Sequence, residues 1–179
     1  MGIPSVALSM HLFFIGLPGA GKSTAAAATA ARWSWPWIDL DRRIEEEQGT
    51  SIPELFARWG ESAFREMERA ALLALSDLPV PHAIACGGGT PLSEENRRFM
   101  QAHGLVVWLD PSDAVLVDRL RQDAGSRPLF AGVDWKQGGR ERVAALRKAR
   151  EGAYAFADVR GSDLSGLYDR LDAWALSSR

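Results

Sequence analysis

The chain has 179 residues, 46% of them apolar and 25% charged, the make-up of one ordinary globular domain rather than a disordered, fibrous or membrane-spanning chain. A formal charge of -2 offers no global attraction to nucleic acid, so any anionic ligand must be met by local positive charge. The lone cysteine, Cys86, excludes an internal disulfide and suits a reducing compartment, the cytoplasm by default.

Met1 to Ile15 carries no basic leader, and the apolar run from Leu12 to Leu17 is too short to cross a bilayer. Neither a signal peptide nor a membrane anchor is expected. Residues 1–9, ahead of Met10, read as a frayed extension of a single domain spanning 1–179.

Leu12 to Ile15 reads as a strand, followed by a glycine-rich turn and the alanine-rich helix Ser23 to Ala31. Trp33 to Asp39 reads as a second short strand, along which Trp33, Trp35 and Trp37 alternate; it ends at Asp39-Leu40-Asp41, ahead of a helix over Arg42 to Gln48. Ser51-Ile52-Pro53-Glu54 has the form of a helix start. Gly60 breaks that helix, and an amphipathic one resumes from Glu61 to Leu75.

Ala83 to Cys86 reads as a buried strand entering Gly87-Gly88-Gly89, and Leu105 to Leu109 as another strand, closed by Asp110-Pro111-Ser112 before a helix from Ala114 to Arg121. The Gly-, Pro- and Asp-rich stretch 123–139 reads as a mobile loop or lid. A helix from Arg140 to Phe156, a strand over Ala157 to Arg160 and a helix from Leu164 to Leu176 complete the chain. Such alternation predicts a three-layer α/β/α fold on a central five-stranded parallel sheet, with ligands at the carboxyl ends of the strands.

Gly16-Leu17-Pro18-Gly19-Ala20-Gly21-Lys22-Ser23 satisfies the G-x-x-x-x-G-K-[ST] phosphate-loop pattern, and it stands between a strand and a helix as that motif requires. Gly16, Gly19 and Gly21 let successive backbone N–H groups, Ala20 among them, face phosphate, and the helix start at Lys22 to Thr24 adds the positive end of its dipole. Lys22 suits the β- and γ-phosphates, and the Ser23 hydroxyl suits Mg²⁺. The motif alone does not separate kinases from ATPases or GTPases. Asp39 and Asp41 are expected on opposite sides of a strand end, one for metal and one for substrate. By themselves they are described more simply as a helix N-cap and a first-turn acid.

From Gly16 to Tyr154 a series of short patterns resembles shikimate kinases in order and spacing. They are the phosphate loop, Asp39-Leu40-Asp41, Gly49 to Phe56, Gly60-Glu61-Ser62-Ala63-Phe64-Arg65, Gly87-Gly88-Gly89, Arg127-Pro128-Leu129, and Arg150 with Tyr154. The resemblance implies a nucleoside-monophosphate-kinase-like P-loop fold with a mobile lid. It implies a monomeric enzyme that phosphorylates the 3-hydroxyl of shikimate with ATP and Mg²⁺, a step toward chorismate and the aromatic amino acids.

By the same resemblance, Asp39 with Ser23 would hold the metal. Asp41 would contact the reacting hydroxyl, as base or as positioning group. Arg65 and Arg150 would grip the acceptor carboxylate, a task suited to a guanidinium fork. Gly87, Gly88 and Gly89 would bring backbone N–H groups against the acceptor. Arg127 would swing from the lid onto the phosphates, joining Lys22 and Asp41 in catalysis. The arginine that stacks on adenine would be Arg119 or Arg121. Glu68 is a candidate orienter of Arg65, and Phe56 and Phe64 are candidate ring contacts or core residues.

Two other readings stand beside this one: a related kinase acting on gluconate or a nucleotide, and a catalytically silent nucleotide-binding module. Glu45, Glu46 and Glu47 read as a solvated helix face. His11, His82 and His103 are scattered along the chain without metal-ligand spacing.

Overall fold

The apolar run Leu12 to Ile15 becomes the middle of a sheet. In the computed structural model, which describes residues 10–79, 81–122, 130, 132–135 and 138–177, with side chains as far as Asp172, β1 spans His11–Ile15 and is buried throughout. Complete burial is what a strand covered on both faces requires. β2 (Trp37–Asp39), β3 (Ala83–Ala85), β4 (Gly104–Leu109) and β5 (Val159–Gly161) join it in the order β2-β3-β1-β4-β5. Every pairing is parallel.

The helices are α1 (Lys22–Trp33), α2 (Leu40–Gln48), α3 (Ile52–Leu73), α4 (Glu94–His103), α5 (Asp113–Gln122), α6 (Gly139–Tyr154) and α7 (Leu164–Ser177). The step from β1 out to β2 sets α1 on one face, where Tyr168 of α7 meets the edge of Trp33. Later crossovers run the other way and, being right-handed, cover the opposite face. Because all strands are parallel, the loops that follow β1, β2, β3 and β4 gather at one edge, with β1 at the switch point.

Small side chains let α1 lie close to the sheet: Ala25, Ala26, Thr29 and Ala30 are all buried. The helix runs two residues further than expected, to Trp33, and Ser34 ends it with a left-handed φ of 58°. The expectation of tryptophans alternating along a strand is therefore corrected. Trp33 is helical and buried, Trp35 packs on it with ring centroids 4.8 Å apart, and only Trp37 lies on β2, 41% exposed. Pro36 intervenes, and the strand begins after it.

The α3 start is a capping box: Glu54 accepts from the Ser51 N–H at 3.1 Å and from the Thr50 and Ser51 hydroxyls. The Thr50 and Ser51 hydrogen bonds hold the Glu54 carboxyl down at about 2. Gly60, at φ 77° and ψ 177°, kinks α3 where the break is predicted. Glu45 is less solvated than its neighbours, since it accepts the Ile52 N–H at 2.8 Å and so joins α2 to the start of α3. Glu46 and Glu47 pair with Arg42 and Arg43 on the outer face.

The histidines are not scattered in space. His11 and His82 are both buried with ring centroids 5.6 Å apart, and β1 pairs His11 with Gly104, the neighbour of His103. Among the described residues no helix is long and apolar enough to cross a membrane. Residues 1–9 and residues 123–129, hence Arg127, Pro128 and Leu129 of the expected lid, lie outside the described residues.

Candidate functional site

The turn after β1 is shaped by glycines that no other residue replaces. Gly16 has φ 147°, and a β-carbon there would collide with the Leu109 carbonyl oxygen; Gly21, at φ 91°, leads directly into α1. Gly16 and Ala20 are buried and form the loop's frame, with the Ala20 N–H donating to Leu17 at 3.0 Å. Lys22 folds back across the loop, its Nζ donating to the Gly16 and Leu17 carbonyls at 3.1 Å each. Gly19, Gly21, Lys22, Ser23 and Thr24 line a cavity of about 390 Å³, within the range of small-ligand sites.

Asp39 and Asp41 line that same cavity. This corrects the expectation of two carboxylates on opposite sides of a strand end: β2 stops at Asp39, and α2 begins at the next residue. Asp39 is the N-cap of α2, accepting the Arg42 N–H through Oδ1 at 3.2 Å, while its Oδ2 receives the Ser23 hydroxyl. Asp41, in the first turn, points back over the cavity floor toward Gly87.

Arg119 and Arg121 are separated by the structure. Both are exposed, but Arg119 donates to the Gly19 carbonyl at 3.1 Å and lines the cavity, whereas Arg121 pairs with Asp118. Cys86 also reaches the cavity wall, but burial, and after it the nearby Glu68 carboxylate, pushes its thiol far up, so it is no nucleophile.

The second half of the site forms around the loop after β3. None of Gly87, Gly88 and Gly89 needs a left-handed backbone; each is needed for space. A β-carbon on Gly87 would lie 2.7 Å from Asp41 Oδ1 and nearer still to Glu68 Oε1. One on Gly88 would meet Arg150 Nη1 and Pro18 Cδ, both at 3.1 Å, and one on Gly89 would stand 2.5 Å from Arg65 Cζ. The three glycines thus make room for the Asp41, Glu68, Arg150 and Arg65 side chains, and at Gly88 the loop meets Pro18 of the phosphate loop.

Arg150 is 5% exposed and donates to the Gly88 carbonyl at 2.9 Å; the Tyr154 hydroxyl donates to the same oxygen at 2.6 Å. Burial raises the Tyr154 pKa, which keeps the phenol a donor. Arg65 is held by Glu68 at 2.8 Å and by Glu61 at 2.9 Å. Burial alone would lower its pKa, but the two carboxylates outweigh that and raise it. Glu68, 1% exposed, also receives the Thr90 hydroxyl at 2.6 Å, so it orients Arg65 from a fixed position.

Thr90 and Asn96 are residues that sequence reasoning misses. The Asn96 amide donates to the Thr90 carbonyl at 3.0 Å and holds the loop's exit. The available signal was a hydroxyl immediately after the triple glycine. Phe56 and Phe64 pack on each other, ring centroids 4.7 Å apart, with Phe64 buried.

A family model described as shikimate kinase matches residues 18–170. A shikimate kinase of Synechococcus sp. is 40% identical over 149 residues, covering 83% of this chain and 76% of that protein. One from Geobacter sulfurreducens is 39% identical over 160 residues, covering 89% and 84%. Among solved structures, shikimate kinase from Acinetobacter baumannii in complex with shikimate superposes with a TM-score of 0.84 at 27% identity, covering 98% of this chain and 99% of that one. Shikimate kinase from Bacteroides thetaiotaomicron gives 0.77 at 33% identity over 84% and 85%.

Proposed function

This chain belongs to the shikimate kinase family, and we propose that it transfers the γ-phosphoryl group of ATP to the 3-hydroxyl of shikimate from the site described above. The observation that carries this reading is the convergence on Gly87 to Gly89 of Asp41, Arg65 and Arg150, which meets the phosphate loop where Pro18 approaches Gly88.

On this reading the two guanidinium groups hold the acceptor's carboxylate, and Asp41 lies at the junction where the hydroxyl must face the γ-phosphate. Asp41 accepts the hydroxyl's hydrogen bond, orienting its lone pair for in-line attack; positioning and charge neutralisation do most of the work in phosphoryl transfer. Lys22 neutralises the β- and γ-phosphates, and Arg119 meets the adenine. Arg127 supplies a second cation as charge spreads over the γ-phosphoryl oxygens.

The hard-oxygen pair Ser23 and Asp39, already in contact, suits Mg²⁺. Mg²⁺ held there would supply electrostatic stabilisation of the transferring group. An ADP-release assay across shikimate, gluconate and nucleoside monophosphates tests the assignment. ATP-dependent turnover on shikimate alone is expected; comparable turnover on gluconate with none on shikimate would overturn it.

A further inference from the structure

Arg147 has no part in the site as described, yet its guanidinium is fully engaged on the turn that follows β4. Its Nε donates to Asp113 Oδ1 at 2.7 Å, its Nη2 to the Pro111 carbonyl at 2.7 Å, and its Nη1 to Asp110 Oδ1. The other oxygen of Asp110 accepts from Arg160, whose guanidinium lies 4.0 Å above the Trp108 ring. Trp108 in turn meets the edge of Tyr154 at 5.6 Å.

Arg147, Arg150 and Tyr154 are spaced three and seven residues apart on α6 and therefore share one helix face. The first grips the turn beside the nucleotide half of the molecule. The other two grip the Gly88 carbonyl of the acceptor half. α6 is thus pinned at its middle by Arg147 and over its last turns by Arg150 and Tyr154. Exposed ion pairs contribute little to stability, but Asp110 is 12% and Arg147 22% exposed, and a three-way fork fixes orientation as well as position.

We propose that Arg147 is a positioning residue for the acceptor: by tying α6 to the turn after β4 it sets the height and rotation at which α6 presents the Arg150 guanidinium to the acceptor carboxylate. The inference rests on the reading of Arg150 as that carboxylate's partner. Displacement of a substrate-holding group by about 1 Å is enough to cost orders of magnitude in rate, so a loosened α6 is felt at the acceptor before the fold fails.

The test is a kinetic cycle on the full chain with Arg147→Ala, Arg150→Ala and the double variant, measuring kcat, the KM for shikimate and for ATP, and Tm. Arg147→Ala is expected to raise the shikimate KM about five- to tenfold while the ATP KM stays within about twofold. The double variant should be no worse for shikimate than Arg150→Ala alone, because the two act through one contact. Multiplied effects in the double variant, equal shifts in both KM values, or a lower Tm with unchanged KM values would each overturn the proposal.

If Arg150→Ala leaves the shikimate KM unchanged, the reading of Arg150 falls and the proposal with it. If Arg150→Ala raises that KM and Arg147→Ala does not, the proposal alone falls. Asp113→Asn, which weakens one of the three contacts, serves where Arg147→Ala does not fold: a smaller rise confined to shikimate supports the proposal, and an unselective or absent rise refutes it.

Discussion

Gly89 lies directly beneath the Arg65 guanidinium, so close that a β-carbon would stand 2.5 Å from its Cζ. The backbone at Gly89, φ -98° and ψ -14°, is open to any residue, so Gly89→Ala strains nothing locally and acts by pushing Arg65 aside. Loss of one charge-assisted contact, about 1.5–3 kcal/mol, should raise the acceptor KM about 10- to 100-fold. Tm and ATP affinity should hardly move. A fall in Tm with an unchanged acceptor KM would show that the glycine serves packing instead.

Asp41 is the side chain shared by the two halves of the site, since it lines the phosphate-loop cavity and faces Gly87. Asp41→Asn keeps the shape and removes the charge. It should reduce kcat by about 10²- to 10⁴-fold while calorimetric ATP binding persists. A variant that loses ATP binding in proportion to turnover would place Asp41 on the nucleotide instead of on the acceptor.

Arg119 and Arg121 make contrasting predictions. Only Arg119 reaches the phosphate loop, and stacking of a guanidinium on an aromatic ring contributes about 0.5–2 kcal/mol. Arg119→Ala should therefore raise the ATP KM several-fold, and Arg121→Ala, which removes an exposed pair with Asp118, should leave it unchanged. Steady-state kinetics with ATP as the varied substrate, read for both variants, decides the point.

Below the sheet's opposite edge, burial lowers the pKa of both His11 and His82 from 6.5. His11 is lowered further by the His82 and His103 rings, and the Leu75 carbonyl works in the other direction. The Pro79 carbonyl does the same for His82, and Asp77 on the adjoining turn is exposed and contributes to neither shift. A lowered folded pKa means that the unfolded chain binds the extra protons. Stability is then complete above 6.5 and is lost as pH falls below that value, by at most about 1.4 kcal/mol per pH unit for each imidazole. Urea denaturation between pH 8 and pH 5 should show this decline, and His82→Phe should make it shallower. An unchanged slope in that variant would exclude His82 as a source.

The phosphate loop, the strand and helix on either side of it, and the alternation that dictates a parallel sheet were all legible in the sequence. Each is local: contiguous glycines, a continuous apolar run and helical spacing act within a few residues of one another. Of the proposed acceptor residues, Arg65 and Arg150 were nameable only as a family pattern, because an isolated arginine on a helix carries no sign of where it points.

Tertiary structure decided the rest. α4 had no predicted counterpart, although Ser93 caps it and Phe99 and Met100 face the core. The approach of Arg119 to the phosphate loop, the burial of Glu68 against Thr90, the meeting of His11 with His82, and the grip of Arg147 on Asp110 all depend on which segments parallel pairing brings together at the two edges of the sheet. So does the meaning of the triple glycine. In the sequence it was a loop that leaves its backbone open to a ligand; in the fold it is the space that Asp41, Glu68, Arg150 and Arg65 occupy, because a missing β-carbon has consequences only once the neighbours that fill its place have arrived.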